Sequence, residues 1–311
     1  MSLPVAAFAA FAQRFAEPVE AALRELLPAP TTAPAELHAA MHYALFPGGK
    51  RLRPMLALLG CQAMGGDPQS ALRAAAAIEC LHTYSLVHDD LPCMDDDALR
   101  RGRPTCHVQF GEAMALLAGD ALLTVAFEGV ASAGTGAVIE LARAAGSLGM
   151  VGGQVEDLAA EGESTQHTLE RVQWIHDHKT GALITASLLV GAHAAGAGGL
   201  RSVPSAALGL LRRYGDLLGR AFQIADDCLD LTGTAAELGK NPQADIALGK
   251  LTWPAILGLE PSRRAARELA EQAAALAQPI VLAALPGREG ELDAAARLLQ
   301  DVAFYAVERR R

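Results

Sequence analysis

Aromatic residues are scarce in this 311-residue chain, at 5%, and there is no basic excess, the formal charge being −9. Few rings weigh against a sheet, whose strands draw on aromatic and β-branched residues. Without a basic face to match phosphates along a duplex, general nucleic-acid binding is excluded. A phosphorylated substrate is not, provided its site carries local cations. The five cysteines (Cys61, Cys80, Cys93, Cys106, Cys228) are scattered and show no zinc-like pairing. Reduced thiols are therefore expected in place of a disulfide framework, and a cytoplasmic location with them. No Pro/Ser-rich linker, like-charge tail or sharp composition shift divides residues 1–311, so one domain is expected. The N-terminus lacks the basic region and apolar core of a signal peptide. Gly181–Leu200 holds no Asp, Glu, Lys or Arg and has a bilayer-spanning length. Its glycines, His193, Thr185 and Ser187 suit a buried core helix better, so no stable membrane insertion is expected.

What is abundant is apolar residue content, 51%, with Ala a large part of it, which favours closely packed helices. Helical periodicity and punctuation predict helices near Val5–Leu27, Ala35–Leu45, Pro54–Met64, Pro68–Leu91, Phe110–Ala131 and Thr135–Ala145. Further helices are predicted near Thr168–Ala195, Pro204–Leu231, Leu251–Leu259, Ser262–Ala284 and Glu289–Arg310. Convincing alternating strands are absent. The expectation is an all-α bundle with polar motifs at its ends.

The first such motif is LVHDDLPCMDDDALRRGRPTCH, Leu86–His107. Asp89, Asp90, Asp95, Asp96 and Asp97 crowd together, with Arg100, Arg101 and Arg103 close behind. Such crowding raises carboxylate pKa values unless cations compensate. Hard oxygen ligands of this kind suit Mg²⁺. Asp89 and Asp95 point about 120° apart on an ideal helix. Pro92 disrupts the helix between them, and a distorted end could bring Asp95 back beside Asp89. Alone, the run also fits a solvated helix end. The second motif, GRAFQIADDCLDLTG, holds Asp226, Asp227 and Asp230 among apolar residues. Asp226 and Asp230 share a helix side, and acids in that setting call for a metal or basic partner. Neither motif brings a nucleophile–base pair, so the chemistry indicated is electrostatic, on a leaving group.

Gly48-Gly49-Lys50-Arg51-Leu52-Arg53-Pro54 sets three cations after a flexible turn, where they can grip phosphate. It is not a Walker A loop. His82 lies two helical turns before Asp89 on the same face. Lys179-Thr180, Lys240 and Lys250 are weak signals individually.

The ordered set GGKRLRP, DDLPCMD followed by RRGRP, HKTGAL, FQIADDCLD and GKNPQADIALGK resembles the trans-prenyltransferase (polyprenyl synthetase) family, in particular its bacterial farnesyl diphosphate synthases. The likeness runs from about Leu37 to the C-terminal end. It implies an isoprenoid-synthase helical bundle around a deep central cavity, usually a homodimer. It also implies a cluster of about three Mg²⁺ ions per site, held between carboxylates and substrate phosphates. By the same resemblance Asp89, Asp95 and Asp226 bind Mg²⁺, with Asp90, Asp227 and Asp230 in the metal shell. Arg100, Lys179, Thr180, Gln223 and Lys240 match positions that hold the allylic diphosphate, with Lys250 close by. Lys50, Arg53, His82 and Arg101 match the isopentenyl diphosphate pocket. The implied reaction is ionisation of the allylic diphosphate, head-to-tail attack by isopentenyl diphosphate and proton loss to the departing diphosphate. Catalytic roles fall on Asp89, Asp90, Asp95, Arg100, Lys179, Asp226 and Lys240.

Product length should follow cavity depth below Asp89. Tyr84 lies about 7.5 Å back along the helix axis and Ser85 one turn back. A bulky residue at the Tyr84 position, with two extra residues inside the first motif, resembles enzymes that stop at farnesyl diphosphate. The competing readings are a geranylgeranyl or geranyl diphosphate synthase and a non-catalytic partner subunit. A terpene cyclase would not need GGKRLRP and Arg101, and a metal-dependent phosphohydrolase is more remote.

Overall fold

The computed structural model describes residues 6–46, 48–161, 168–197, 202–232, 250–287 and 292–308. Helices carry the described chain: α1 Ala6–Leu26, α2 Ala35–Leu45, α3 Leu52–Ala63, α4 Leu72–Asp89, α5 Cys106–Phe110 and α6 Glu112–Val130. They continue as α7 Thr135–Ala145, α8 Met150–Ala160, α9 Leu169–Ile175, α10 Ala182–Ala194, α11 Ser205–Thr232, α12 Trp253–Leu257, α13 Leu259–Ala284 and α14 Leu292–Glu308. The all-α expectation holds. Sequence periodicity misses several features. Helix α8 was not predicted, because Gly152-Gly153 interrupts its pattern. A two-residue hairpin, β1 Leu99–Arg100 with β2 Arg103–Pro104, is too short for alternation to reveal. Its turn places Arg101 and Gly102 at φ 53° and 73°, the left-handed pair such hairpins use.

Predicted boundaries shift where local chemistry wins. The short α5 was not predicted; Gly111, at φ 84°, ends it and lets α6 begin at Glu112, near the expected start at Phe110. The Pro68 end of the predicted fourth helix is a 3₁₀ turn, capped by Asp67 through the Gln69 N–H at 3.0 Å. The predicted helix Thr168–Ala195 is continuous but contains a π turn, His176–Gly181.

Small residues set the central spacing. A Cβ on Gly191 of α10 would strike the Ala57 carbonyl, and one on Gly60 of α3 the Leu188 carbonyl, so these two backbones lie in contact. Nearly all of α10 is buried, as expected for Gly181–Leu200 within its described part. The main core joins α1–α4, α6, α7, α10, α11, α13 and α14. A smaller cluster, including Val172, Ile175, Ile224, Cys228, Leu251 and Trp253, packs around the second acidic motif. Among the described residues one segment, Glu112–Ala133, is apolar and long enough to cross a membrane. It is half of a helix–helix pair with α4, and His88 of α4 contacts its Leu116 carbonyl through Nε2 at 3.0 Å.

Candidate active site

Helix α4 ends at Asp89, and the chain then turns back on itself. The Met94 and Asp96 N–H groups donate to the Leu91 carbonyl, and the Asp95 N–H donates to the Asp89 carbonyl at 2.9 Å. Asp96 takes φ 52° to complete the turn. The distorted end expected from Pro92 thus sets Asp95 beside Asp89. Burial, with Asp95 adding to it, pushes the Asp89 carboxyl up to about 6, although Lys179, Arg100 and Lys250 pull the other way. Lys250 Nζ stands 3.4 Å from both Asp95 oxygens.

Asp90 is buried and faces elsewhere. Arg100, presented by the hairpin, donates its Nε to Oδ1 and Oδ2 at 2.8 and 2.9 Å, with Nη2 2.6 Å from Oδ1. In this arrangement Arg100 holds Asp90 and, at 3.7 Å, approaches Asp97.

The four residues expected to bind isopentenyl diphosphate come together. Lys50, Arg53, His82 and Arg101 line one cavity of about 310 Å³, with Gly49, Arg51, Leu52, Glu79, Phe222 and Tyr305. Burial, then the neighbouring guanidinium groups of Arg53, Arg101, Arg100 and Arg51, holds His82 well below the usual imidazole range. It is a neutral ring in a cationic pocket. Arg51 is the exception among the three cations of its loop. It adopts φ 47°, turns inward and is buried. Its Nε donates to Glu20 at 2.8 Å, Nη1 to Glu79 at 3.0 Å and Nη2 to the Leu45 carbonyl at 2.8 Å. Glu20 and Glu79 are contributors that sequence reasoning missed. They sit on helices remote in the chain, and no local signal marks them.

Helix α11 joins this pocket to the second acidic motif. Phe222 lines the cavity and Asp226 follows one turn later on the same side. Asp227 and Asp230 are buried. The resemblance puts Asp227 in a metal shell, whereas here its carboxylate meets three protein groups. Gln223 Nε2 donates to it at 3.1 Å, the Trp253 N–H at 2.8 Å, and His176 Nε2 lies 3.2 Å away. Gln223 is thereby engaged with Asp227. Lys179 and Thr180 occupy the π turn, where Lys179 Nζ donates to Asp157 of α8 at 2.5 Å. Asp157 went unseen because α8 did. Lys240 lies outside the described residues.

Tyr84 is buried, its ring edge-on to His88 at 5.3 Å. Ser85 Oγ donates to the His82 carbonyl at 2.8 Å.

No three His, Cys, Asp or Glu side chains converge on one point among the described residues. Mg²⁺ commonly binds through one or two carboxylates and completes its shell with water and substrate phosphate. The adjoining Asp89 and Asp95, the first of them raised by burial and by its neighbour, fit such an ion.

Carboxylates for a hard divalent ion, set near a cationic pocket in an all-helical bundle, define a class of enzyme that works on diphosphates by charge. Residues 34–280 match the polyprenyl synthetase family. A geranylgeranyl pyrophosphate synthase of Arabidopsis thaliana is 45% identical over 277 residues, covering 86% of this chain and 75% of that protein. The farnesyl diphosphate synthase of Escherichia coli is 49% identical over 242 residues, covering 75% and 79%. A crystal structure of geranyltransferase from Helicobacter pylori, complexed with magnesium and isoprenyl diphosphate, superposes with a TM-score of 0.78 at 32% identity, covering 99% and 97%. The chain belongs to the polyprenyl synthetase family and is a prenyltransferase of isoprenoid biosynthesis.

Proposed function

We propose that this prenyltransferase condenses isopentenyl diphosphate with dimethylallyl and then geranyl diphosphate, releasing farnesyl diphosphate. The observation that carries the reading is the joining of Lys50, Arg53, His82 and Arg101 around one cavity. That cavity shares α11 with Asp226. A terpene cyclase has no use for such a second cationic pocket.

In the proposed roles Asp89, Asp95 and Asp226 hold Mg²⁺, with Asp90, Asp227 and Asp230 behind them. Mg²⁺, when bound, draws negative charge onto the leaving diphosphate. Lys179, Thr180, Gln223, Lys240 and Arg100, with Lys250 nearby, orient the allylic diphosphate and stabilise the charge it gains as its C–O bond breaks. Lys50, Arg53 and Arg101 clamp the isopentenyl diphosphate. His82 meets it as a neutral hydrogen-bonding partner. The helical walls exclude water that would trap the allylic cation, and the departing diphosphate takes the proton.

Support for the fifteen-carbon length comes from Tyr84, a bulky side chain buried on α4 five residues before Asp89. The Arabidopsis relative favours a second reading, a geranylgeranyl product. Chromatography of products made from dimethylallyl and isopentenyl diphosphates decides between them. Predominant twenty-carbon chains would sink the farnesyl assignment. Tyr84→Ala should lengthen the product, and an unchanged distribution would move the floor to another residue. A homodimer is part of the proposal, supported by exposed Leu116 and Leu117 on α6. Sedimentation would test it.

A further inference from the structure

Lys179 and Thr180 do not sit on a regular helix. They ride on the π turn His176–Gly181 between α9 and α10. A π turn is a rare single-turn bulge inside an α-helix, frequent at functional sites, so what holds this one matters. Two helices grip it from different directions.

From α8, a Cβ on Gly153 would collide with the Lys179 backbone nitrogen, and Asp157 accepts from Lys179 Nζ at 2.5 Å. From α11, a Cβ on Gly219 would stand 2.7 Å from the Gly181 Cα. The next residue, Arg220, donates Nε to Asp177 Oδ1 at 2.9 Å and Nη2 to Oδ2 at 2.7 Å. This is the two-point fork of a guanidinium on a carboxylate, which fixes orientation as well as distance. Its side chains are only 25% and 30% exposed.

Neither residue lines the cation pocket. Both face a separate cavity of about 340 Å³, with Glu140, Arg212 and Asp216. A direct hand in the chemistry is therefore not their role. Asp177 stands two residues before Lys179, and Arg220 stands six before Asp226. The fork thus ties the lysine-bearing turn to the helix of the second acidic motif. Loss of the extra π residue would rotate one side of the turn against the other by about 100°, enough to swing Lys179 away from Asp157.

We propose that Arg220 and Asp177 are positioning residues, whose bridge holds the π turn in register and sets the reach of Lys179 and Thr180 to the allylic diphosphate. The inference rests on the prenyl-transfer reading above. The test is steady-state kinetics with each substrate varied separately, on Arg220→Ala, Asp177→Asn and the double variant. Each single change should raise the allylic KM by roughly 3- to 10-fold, leaving the isopentenyl KM within about twofold. The double variant should be no worse than either single one. Exchanging the charges, Arg220→Asp with Asp177→Arg, should recover most of the loss. Equal rises in both KM values, an unaltered allylic KM in folded protein, or additive single effects would overturn the proposal. If Arg220→Ala does not fold by circular dichroism, Arg220→Lys keeps the charge, loses the fork and should show the same split to a smaller degree. Wild type run alongside separates the claims. No condensation product from it would sink the activity, whereas active wild type with indifferent variants overturns the bridge alone.

Discussion

The two poles of the site handle surplus charge in opposite ways. At the cationic pole, around α3 and the hairpin, one arginine of the loop is neutralised internally: Arg51 is buried against Glu20 and Glu79. The brace engages Arg51, and His82, nearby, is pushed down by burial and guanidinium charge. At the acidic pole, the end of α4, the crowded carboxylates are only partly offset, and Asp89 is pushed up to about 6. Each pole holds a like-charge excess that an ionic partner of the opposite sign would relieve, in the proposed roles a diphosphate at one and a divalent cation at the other. The cationic pole was built with a structural counter-ion behind it. The acidic pole pairs Asp90 with Arg100 and leaves Asp89, at the backbone turn, raised.

The largest expected effect breaks the acidic pole. Asp89→Asn should cut kcat by roughly a hundredfold to a thousandfold, with the isopentenyl KM nearly unchanged. Arg53→Ala should invert that pattern, raising the isopentenyl KM by roughly tenfold or more. Equal changes in both parameters for both variants would erase the distinction between the poles. Next comes the brace. Glu79→Ala leaves a buried guanidinium with one partner fewer and should cost about 3 kcal/mol. A Tm fall of roughly 6 °C would register it, whereas an unchanged Tm would show that Glu20 alone suffices.

The smallest effect is read by pH. His82 is held below its unfolded value, so the folded protein binds fewer protons than the unfolded chain as pH drops below about 6.5. Its contribution to stability is therefore present above that pH and lost on acidification. The Tm of His82→Gln should fall less than that of wild type between pH 7 and 5. Parallel curves would mean that His82 takes up protons alike in the folded and the unfolded chain.

Much of this was legible in the chain. Asp89 and Asp95 were separable from an ordinary acidic surface only together with the second acidic motif, the cations and the motif resemblance. Lys50, Arg53, His82 and Arg101 were assigned together by motif resemblance. What was not legible depended on distant packing. Arg51 and Arg53 look alike in GGKRLRP and both border the cavity, yet only Arg51 is buried, in an ionic brace with Glu20 and Glu79. Helix α8 was hidden by Gly152 and Gly153, since Gly is a poor helix former. Gly153 is accommodated because the Lys179 backbone packs where its Cβ would be.

The all-helical class follows from the sequence by itself, because periodicity and caps are local properties. So do the two acidic motifs and the residue types at the cationic loop. Tertiary structure alone decided which charges face inward, which aspartate meets protein partners and which turn becomes a π turn. Those outcomes depend on the cost of burying a charge and on whatever neighbour the fold supplies to offset it. For Asp227 the neighbours are Trp253 and His176, and for Asp177 it is Arg220. None of these is marked by spacing along the chain.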